Sequence, residues 1–290
     1  MKRSLLGFNA DCPPLETDPR AIKRAKPPYR DVRLDGNVES RFLYATLLST
    51  DLLPFGHLDY RLIILPIEPE GDHYKLIGPD EARERGFFHL ARWVKEAESE
   101  WTTRRGVKAQ RMTLYERLDR VHGLTYQSPE ASYRVIYNMS GTYLAAAVVE
   151  DGPIRFQING QVVEARGFLV DYVTYCLETS NRTEAHYLSA ILNAPEIDAL
   201  IKPMQARGLW GPRHICKKVL DLPLPQFHAE NLTHQRLAEL GQECNARVEE
   251  WLASGGPGKT KSIGKLRGMV RELLRAELDE IDDIVKKILE

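Results

Sequence analysis

A group of basic residues at positions 202–218 has the chemistry of a phosphate contact. It includes the segment ARGLWGPRHICKK, residues 206–218, which holds two glycines and no acidic residue. Because glycine lets backbone amides approach an anion and basic side chains neutralise phosphate, the pattern suits contact with an anion. The alternative is a solvated surface turn, since charged runs often have no partner. The predicted contact residues are Lys202, Arg207, Arg213, His214, Lys217 and Lys218.

A second basic group lies at positions 104–111, at the end of a predicted helix. An arginine can donate two parallel hydrogen bonds to guanine, and a glutamine can form a similar pair with adenine. The group therefore contains side chains that are able to read bases in a major groove. The alternative is that its cations cap the helix C-terminus and face water. The predicted residues are Arg104, Arg105, Lys108, Gln110 and Arg111.

The sequence contains none of the compact motifs of common enzyme classes. There is no GxGxxG dinucleotide fingerprint, no GxSxG nucleophile elbow and no HxxxH or HxH spacing among the eight histidines. His186 and His234 lie in predicted helices among polar neighbours, where we expect solvated or capping roles. Asp51, Glu68 and Lys75 could belong to a metal nuclease, but nothing in their spacing is specific to one. We therefore predict no catalytic residue and no metal site in this chain.

Two segments imitate known motifs but lack an essential residue. ASGGPGKT, residues 253–260, has alanine in place of the first glycine of a phosphate-binding loop and follows a predicted helix instead of a strand. KPPY, residues 26–29, has lysine where amino-group DNA methyltransferases have an asparagine or aspartate that accepts a hydrogen bond from the flipped base. An ammonium group only donates hydrogen bonds, so it cannot accept one from that base. We predict a linker at the first segment and a proline-stiffened loop at the second.

Composition limits the class of protein. The chain has 290 residues and a formal net charge of −1, which allows one large or two modest domains. The four cysteines are widely spaced and form no CxxC pair, which argues against a zinc ribbon and a disulfide scaffold. We predict reduced thiols in a cytoplasmic protein. No apolar run approaches the roughly 20 residues that a membrane helix needs.

The first half of the chain is predicted to mix strands and helices. Residues 1–40 are rich in proline and charge and are expected to form an irregular arm. RFLYATLLSTDLLPFG, residues 41–56, has helical spacing of its apolar residues. Residues 60–68 and 73–77 are predicted to pair as a hairpin, and residues 79–120 are predicted to be helical.

The second half changes from strands to helices. Five short strands are predicted over residues 133–178, with an Asn-Gly hairpin turn among them. Helices are predicted from Asn181 and over 231–252. The tail is predicted to be one long helix with an apolar seam. This seam is expected either to pack on the same chain or to bind a partner, and the partner could be a second copy of the chain that associates through residues 265–290. The seam consists of Leu274, Leu278, Ile281, Val285 and Ile288. The predicted fold class is therefore α+β, with a mixed or antiparallel sheet, flanking helices and a long C-terminal helix.

From residue 38 onward the chain resembles the C-terminal target-recognition half of adenine-specific DNA methyltransferases of type IIG restriction–modification systems. The most specific stretch contains an EA-x-YL-x-A-x-LN helix, a Gly-Arg-containing connection and a closing LPLP segment. This pattern also resembles type I specificity subunits. The stretches that carry the likeness are VESRFLYATLLSTDLLPFG, YRVIYNMSGTYLAAAVV, TEAHYLSAILNAPEIDALIKPMQARGLWGPRHICKKVLDLPLPQF and SIGKLRGMVRELLRAELDEIDDIVKKIL.

The resemblance implies an organisation and partners. It implies an arm at 1–40, a target-recognition domain at 41–228 and a helical region at 229–290 with a linker at 253–262. It also implies that the chain recognises double-stranded DNA. The family's cofactor motif and Asn-Pro-Pro-Tyr tetrapeptide are missing, so S-adenosylmethionine would bind to a partner catalytic subunit or to a missing domain.

Two other functions stay open on the sequence. The chain could be a protein-interaction subunit that assembles a restriction–modification or phage-defence complex through its C-terminal helix. It could also be a stand-alone enzyme, for which a methyltransferase is the version that would be worth testing.

Overall fold

A computed structural model describes residues 9–205, 207–208, 211–212, 214–256, 258 and 262–289. The chain forms two compact units, each made from three separate segments. Unit 1 consists of Met1–Ala45, Leu62–Pro129 and Gly152–Leu169. Unit 2 consists of Thr46–Arg61, Glu130–Asp151 and Val170–Glu290.

Helices and strands share the described part of the chain, and this confirms the predicted α+β class. The helices are α1 (Pro19–Arg24), α2 (Pro79–Glu84), α3 (Phe88–Arg104), α4 (Leu114–Leu118), α5 (Arg182–Asn193), α6 (Pro195–Ile201), α7 (Leu232–Ala253), α8 (Ile263–Leu273) and α9 (Arg275–Leu289). The strands are β1 (Pro14–Glu16), β2 (Asp35–Asn37), β3 (Leu43–Thr46), β4 (Leu52–Leu53), β5 (Gly56–His57), β6 (Arg61–Ile64), β7 (Ile67–Glu70), β8 (His73–Leu76), β9 (Tyr133–Asn138), β10 (Ala146–Glu150), β11 (Ile154–Ile158), β12 (Gln161–Ala165), β13 (Thr174–Thr179), β14 (Arg207–Gly208) and β15 (Gly211–Pro212).

The core of unit 1 lies under α3. Leu90 and Val94 of this helix are buried against Phe42 and Leu43. The start of α3 is capped from outside the helix, because the Glu39 carboxylate accepts hydrogen bonds from the backbone amides of residues 89 and 90 at 3.1 and 2.8 Å. Such a cap satisfies amides that have no partner within the helix. The N-terminal segment of the chain is therefore tied to the core.

Hairpins complete unit 1. The strands of β7–β8 and of β11–β12 pair antiparallel. The β11–β12 turn has Asn159 at φ 52° and Gly160 at φ 80°. These two positive values are those of the predicted type I′ turn, whose twist matches that of the flanking strands.

Unit 2 is built on a three-stranded antiparallel sheet in the order β10–β9–β13. The predicted EA-x-YL-x-A-x-LN motif forms α5, and its side chains hold this sheet and the LPLP segment in place. Asn193 is buried and both donates to and accepts from the backbone of Ala146, at 2.9 and 3.0 Å. The Tyr187 hydroxyl donates to the carbonyl of Pro225 at 2.9 Å. The most specific sequence motif therefore has a structural role.

The C-terminal helices close the core of unit 2. The tail is helical as predicted, with a break at Leu274, which separates α8 from α9. Leu274, Ile281 and Val285 are fully buried in the same cluster as Ile191 of α5. The apolar seam of the tail thus packs on its own chain, which was one of its two predicted uses. Self-association through this seam would need the core to open.

Two local predictions were wrong. Residues 41–56 form β3, β4 and β5 instead of a helix. All four residues of β3 are buried, and a continuous apolar run suits a strand that is covered on both faces as well as it suits a helix. The region at 9–40 is also not irregular, because β1 pairs with β2 and Ile22 of α1 is buried.

Three of the four cysteine side chains lie in the described part of the chain. Cys12, Cys176 and Cys244 are free thiols, and burial raises the pKa of Cys244 to about 12. Such a thiol is a poor nucleophile, because the thiolate is the reactive form. Among the described residues no helix is both long and apolar enough to cross a membrane.

Candidate nucleic-acid interface

The unit 2 basic group begins at Lys202, directly after α6. Its ammonium lies 2.8 Å from the carboxylate of Asp198, one helical turn earlier. Asp198 is buried and also accepts a hydrogen bond from the amide of Leu144 at 2.8 Å. Lys202 is thus held at the surface by a carboxylate that is fixed from a second element.

The middle of this group rests on two buried anchors. Ile215 and Val219 are fully buried in the core of unit 2. Ile215 directly precedes a 3₁₀ helix over residues 216–221, and Val219 lies within it. The amide of Ile215 also donates to the carbonyl of Met139 at 3.1 Å. Lys217 is exposed between these anchors, and the described part of the chain gives it no ion pair. A cation in this position is held by the fold and is free to meet an external anion.

The other predicted residues of the group differ in what they offer. Lys218 is half-buried and lies 3.7 Å from Asp221, a weak surface pair. His214 is exposed, and its backbone bridges to Ser140. Arg213 and the side chain of Arg207 lie outside the described residues, so the predictions for them stay predictions.

A pocket adjoins Lys202. It has a volume of about 740 Å³, and its lining includes Tyr143, Asp198, Lys202 and Arg271. The Lys202 ammonium and the Arg271 guanidinium each lie 5.1 Å from the centre of the Tyr143 ring. Cations at this distance are attracted to the electron-rich face of an aromatic ring. One pocket therefore presents two cations and a half-exposed ring.

The loop that carries Tyr143 is fixed from below. Asn138 is fully buried and donates to the carbonyls of Ser140 and Tyr143 at 2.9 and 3.0 Å. A Cβ atom at Gly141, whose φ is 156°, would lie 2.7 Å from Nδ2 of Asn138 and 2.8 Å from Nη1 of Arg267. Only glycine fits this close approach. Tyr143 is therefore placed by a rigid loop.

A buried arginine, Arg267, and a partly buried one, Arg271, lie one helical turn apart on α8. Arg267 donates to the carbonyls of Leu52 and Ser49 at 3.0 and 2.6 Å. Arg271 donates to the carbonyl of Leu144 at 3.1 Å, and its buried Nε has no hydrogen-bond partner among the residues that the structure describes. Burial and then the neighbouring Arg271 lower the pKa of Arg267 to about 10, and burial lowers the pKa of Arg271. The positive charge here is thus incompletely neutralised.

In unit 1, Arg104 and Arg105 serve the structure. Arg104 pairs with Asp31 at 2.7 Å and with Glu100 of its own helix. Nη1 of Arg105 donates to the carbonyl of Met112 at 2.8 Å. Both guanidiniums are partly buried by these internal bonds. Their roles are close to the predicted alternative of a helix cap.

The remainder of the unit 1 group lies on an exposed, closed turn. Nε1 of Trp101 also donates to the carbonyl of Met112, at 2.9 Å, and so fixes the base of the turn. Lys108, Gln110 and Arg111 are exposed on it, and the described residues supply no ion pair to these side chains. The structure thus separates the predicted group into two structural arginines and three accessible polar side chains.

The structure also shows where the residues considered for a metal-nuclease site lie. Asp51 lies in unit 2, where Arg61 binds both of its carboxylate oxygens at 2.6 and 2.8 Å. Glu68 lies in unit 1 and pairs with Arg41 and Arg85. No group of three metal-ligating side chains occurs among the residues that the structure describes.

The KPPY segment and the glycine-rich segment after α7 were predicted not to be catalytic. Residues 27–29 form a 3₁₀ turn, and the ring of Tyr29 stacks on that of Trp101 with centroids 6.3 Å apart. The stacked ring is thus already engaged within unit 1. The segment at 253–260 follows α7 as predicted, and its residues 257, 259 and 260 lie outside the described part.

The prediction for the two helical histidines was wrong in part. His186 is only 3% exposed and His234 only 4% exposed, so neither is solvated. Burial, followed by the nearby Arg182, lowers the pKa of His186 to about 4. Nδ1 of His234 accepts a hydrogen bond from the amide of His228 at 3.1 Å. Tertiary packing covers both helix faces, and the local sequence does not show this.

Sequence reasoning missed Tyr143, Arg267 and Arg271. A signal was present for the two arginines, because they are four residues apart and follow Leu266 and Val270, which face the core. For Tyr143 no local signal exists, since its partners are Lys202, which follows α6, and Arg271 of α8. Comparison with known protein families and with curated protein sequences gives no match for this chain.

Proposed function

We propose that the chain is a sequence-specific recognition module for double-stranded DNA that acts with an adenine-specific DNA methyltransferase of a restriction–modification system. The order of the sequence motifs supports the family. The observation that carries the proposal is Lys217, which is exposed between the fully buried Ile215 and Val219 and has no ion pair with any described residue. Because the backbone on both sides of this lysine is anchored, only its side chain has to be ordered when it binds phosphate, which suits a backbone contact.

The structure changes which residues we propose to read bases. Arg104 would have to break its bonds to Asp31 and Glu100 before it could reach a base. Gln110 and Arg111 are exposed on a closed turn, and within the described part of the chain they have no ion pair to break. We therefore propose that Lys108, Gln110 and Arg111 read bases, and that Arg104 and Arg105 hold their turn.

Methyl transfer is assigned to another polypeptide or domain. The KPPY turn does not fit a base-flipping site, because Lys26 cannot accept a hydrogen bond from an amine and Tyr29 is stacked on Trp101. S-adenosylmethionine would accordingly bind outside the residues described here. The competing role as an interaction subunit rested on the C-terminal seam, and that seam is buried in unit 2.

Selection of DNA sites from a random duplex pool tests base reading. The wild-type chain is expected to enrich a sequence, and Gln110→Ala or Arg111→Ala is expected to relax one or two positions of it. A lost bidentate pair costs roughly 1–3 kcal/mol of discrimination at its base. The matched control is Arg117→Ala, an exposed arginine on the adjacent helix α4. Unchanged preference in both test variants would refute the assignment, and no enrichment by the wild type would refute sequence-specific recognition.

A further inference from the structure

The pocket at Tyr143 has a surplus of positive charge. Lys202 and Arg271 line it, and Arg267 lies one turn from Arg271 on the same helix. Asp198 is the acid in the lining, and it already accepts from Lys202 and from the amide of Leu144. Two cations and one carboxylate in the lining leave a net positive charge, which favours an anion.

Arg271 also has an unused donor. Its Nη2 donates to a backbone carbonyl, and its buried Nε finds no hydrogen-bond acceptor in the described part of the chain. An unsatisfied buried donor is costly. Since Nε has no exposure to solvent, a ligand in the pocket would meet the other N–H groups of the same guanidinium. An arginine in a pocket is suited to phosphate, because its planar fork can donate two parallel hydrogen bonds.

The rest of the lining suits a flat group next to that anion. Pro195, Ala199 and Pro203 are apolar, and the Tyr143 ring is 39% exposed. Aromatic side chains provide platforms on which nucleobases stack. The volume of about 740 Å³ lies within the range typical of ligand sites, which is roughly 300–1,000 Å³.

We propose that this pocket is a nucleotide-phosphate site, in which Arg271 and Lys202 bind a phosphate group and Tyr143 packs against the adjoining base or sugar. The proposal rests on the proposed function in one respect, because we take the phosphate to be part of a DNA strand. The same chemistry would serve a free nucleotide. A separate assay for each source distinguishes the two.

Isothermal titration of the full chain with the dinucleotide pTpT and with dAMP measures the pocket directly. Arg271→Met removes the charge and keeps an unbranched apolar chain, and Lys202→Met does the same at a half-exposed position. Each loss of a charged hydrogen bond is expected to weaken pTpT binding about tenfold. Asp198→Asn keeps an acceptor for the Leu144 amide but removes the negative charge, so it is expected to strengthen binding. Tyr143→Ala should weaken pTpT binding, whereas inorganic phosphate binding should change little.

Unfolding cannot make Asp198→Asn strengthen pTpT binding while Lys202→Met weakens it. If Arg271→Met fails to fold, Lys202→Met still tests the phosphate contact. No binding of either pTpT or dAMP by the wild type, or equal binding of pTpT by Asp198→Asn and Lys202→Met, would overturn the pocket. Acetate binding as tight as that of phosphate would also overturn it.

A duplex titration separates this pocket from the proposed function. If the wild type binds pTpT but no duplex, the DNA-recognition role fails and the nucleotide-phosphate site stands for a free nucleotide. If duplex binding is strong and insensitive to Lys202→Met and Asp198→Asn, the recognition role stands and the assignment of the pocket to DNA fails. Tighter binding of dAMP than of pTpT would overturn the strand assignment in favour of a free nucleotide.

Discussion

Replacing Gly241 by alanine should destabilise unit 2, although alanine normally favours a helix. Gly241 lies in the middle of α7, where this helix contacts α5. A Cβ atom at this position would lie 3.0 Å from the carbonyl carbon of His186, closer still to its oxygen, and 3.4 Å from Cβ of Ala190. Since the nearest atoms belong to the α5 backbone, no side chain can rotate away. The two helices must therefore separate.

The size of the effect follows from two opposing terms. Alanine in a helix interior gains about 0.5–1 kcal/mol over glycine. Forcing extra atoms into a well-packed contact costs about 1–3 kcal/mol, and a backbone clash belongs at the upper end of that range. The net loss of unfolding free energy is expected to be about 1–2 kcal/mol. Each kcal/mol shifts the melting temperature of a domain of this size by roughly 2–4 °C.

The matched control is Gly268→Ala on α8. Gly268 is exposed, and a Cβ atom there would meet nothing within 4 Å. This variant should gain about 0.5–1 kcal/mol, because only the helix propensity changes. Urea unfolding followed by far-ultraviolet circular dichroism measures both free energies, with equal m values as evidence that the unfolded states are comparable. Equal or greater stability of Gly241→Ala relative to Gly268→Ala would refute the close approach of α5 and α7.

Three further predictions concern charged and titrating groups. Arg134 is fully buried between Asp151 and Glu178, so Arg134→Met should lower the free energy of unfolding by roughly 3 kcal/mol. This is the low end for a broken buried pair, because both acids are partly exposed. In the same urea assay the control Arg155→Ala, at an exposed pair, should change the free energy of unfolding by less than about 1 kcal/mol. The pKa of His186 is lowered to about 4, so protonation of this histidine favours the unfolded state. The stability that neutral His186 contributes is therefore lost as pH falls from about 6.5 towards 4. The melting temperature of His186→Leu should fall less than that of the wild type over this window, and an equal fall would contradict the prediction. Arg104→Ala should lower the melting temperature without changing the selected DNA sequence, and a changed sequence with unchanged stability would reverse the assignment.

Local patterns predicted much of the secondary structure. Asn181 caps α5 by accepting from the amides of residues 183 and 184, and Pro195 begins α6, as the sequence indicated. The α3 helix and the Asn159-Gly160 turn also follow from residues close together in the chain. In each case the physical cause is local, because caps, prolines and turn residues act within a few residues.

Features that depend on tertiary contacts could not be predicted from local sequence patterns. The buried strand β3 has no periodicity that separates it from a helix. The structural role of Arg104 depends on Asp31, which is far away in sequence. The interleaving of two units from three segments each is likewise invisible in a single sequence.

The candidate site shows the same division. The basic group that contains Lys202 and Lys217 could be recognised from the sequence, whereas the pocket beside Lys202 could not. Its ring comes from the β9–β10 loop, its lysine follows α6 and its arginine lies on α8. Bringing these three elements together requires the whole core of unit 2.

The salt dependence of duplex binding tests DNA recognition most directly. Fluorescence anisotropy of a labelled duplex is measured from low to high salt for the wild type, for Lys217→Ala/Lys218→Ala and for a control, Lys287→Ala, which removes an exposed lysine from α9. Each phosphate contact contributes about −0.9 to the slope of log K against log salt, so the double variant should lower the slope magnitude by up to about 2, with weaker binding to every duplex. Lys287→Ala should match the wild type. A double variant with unchanged affinity and slope would contradict the phosphate contact, and a wild type that binds no duplex would contradict DNA recognition itself.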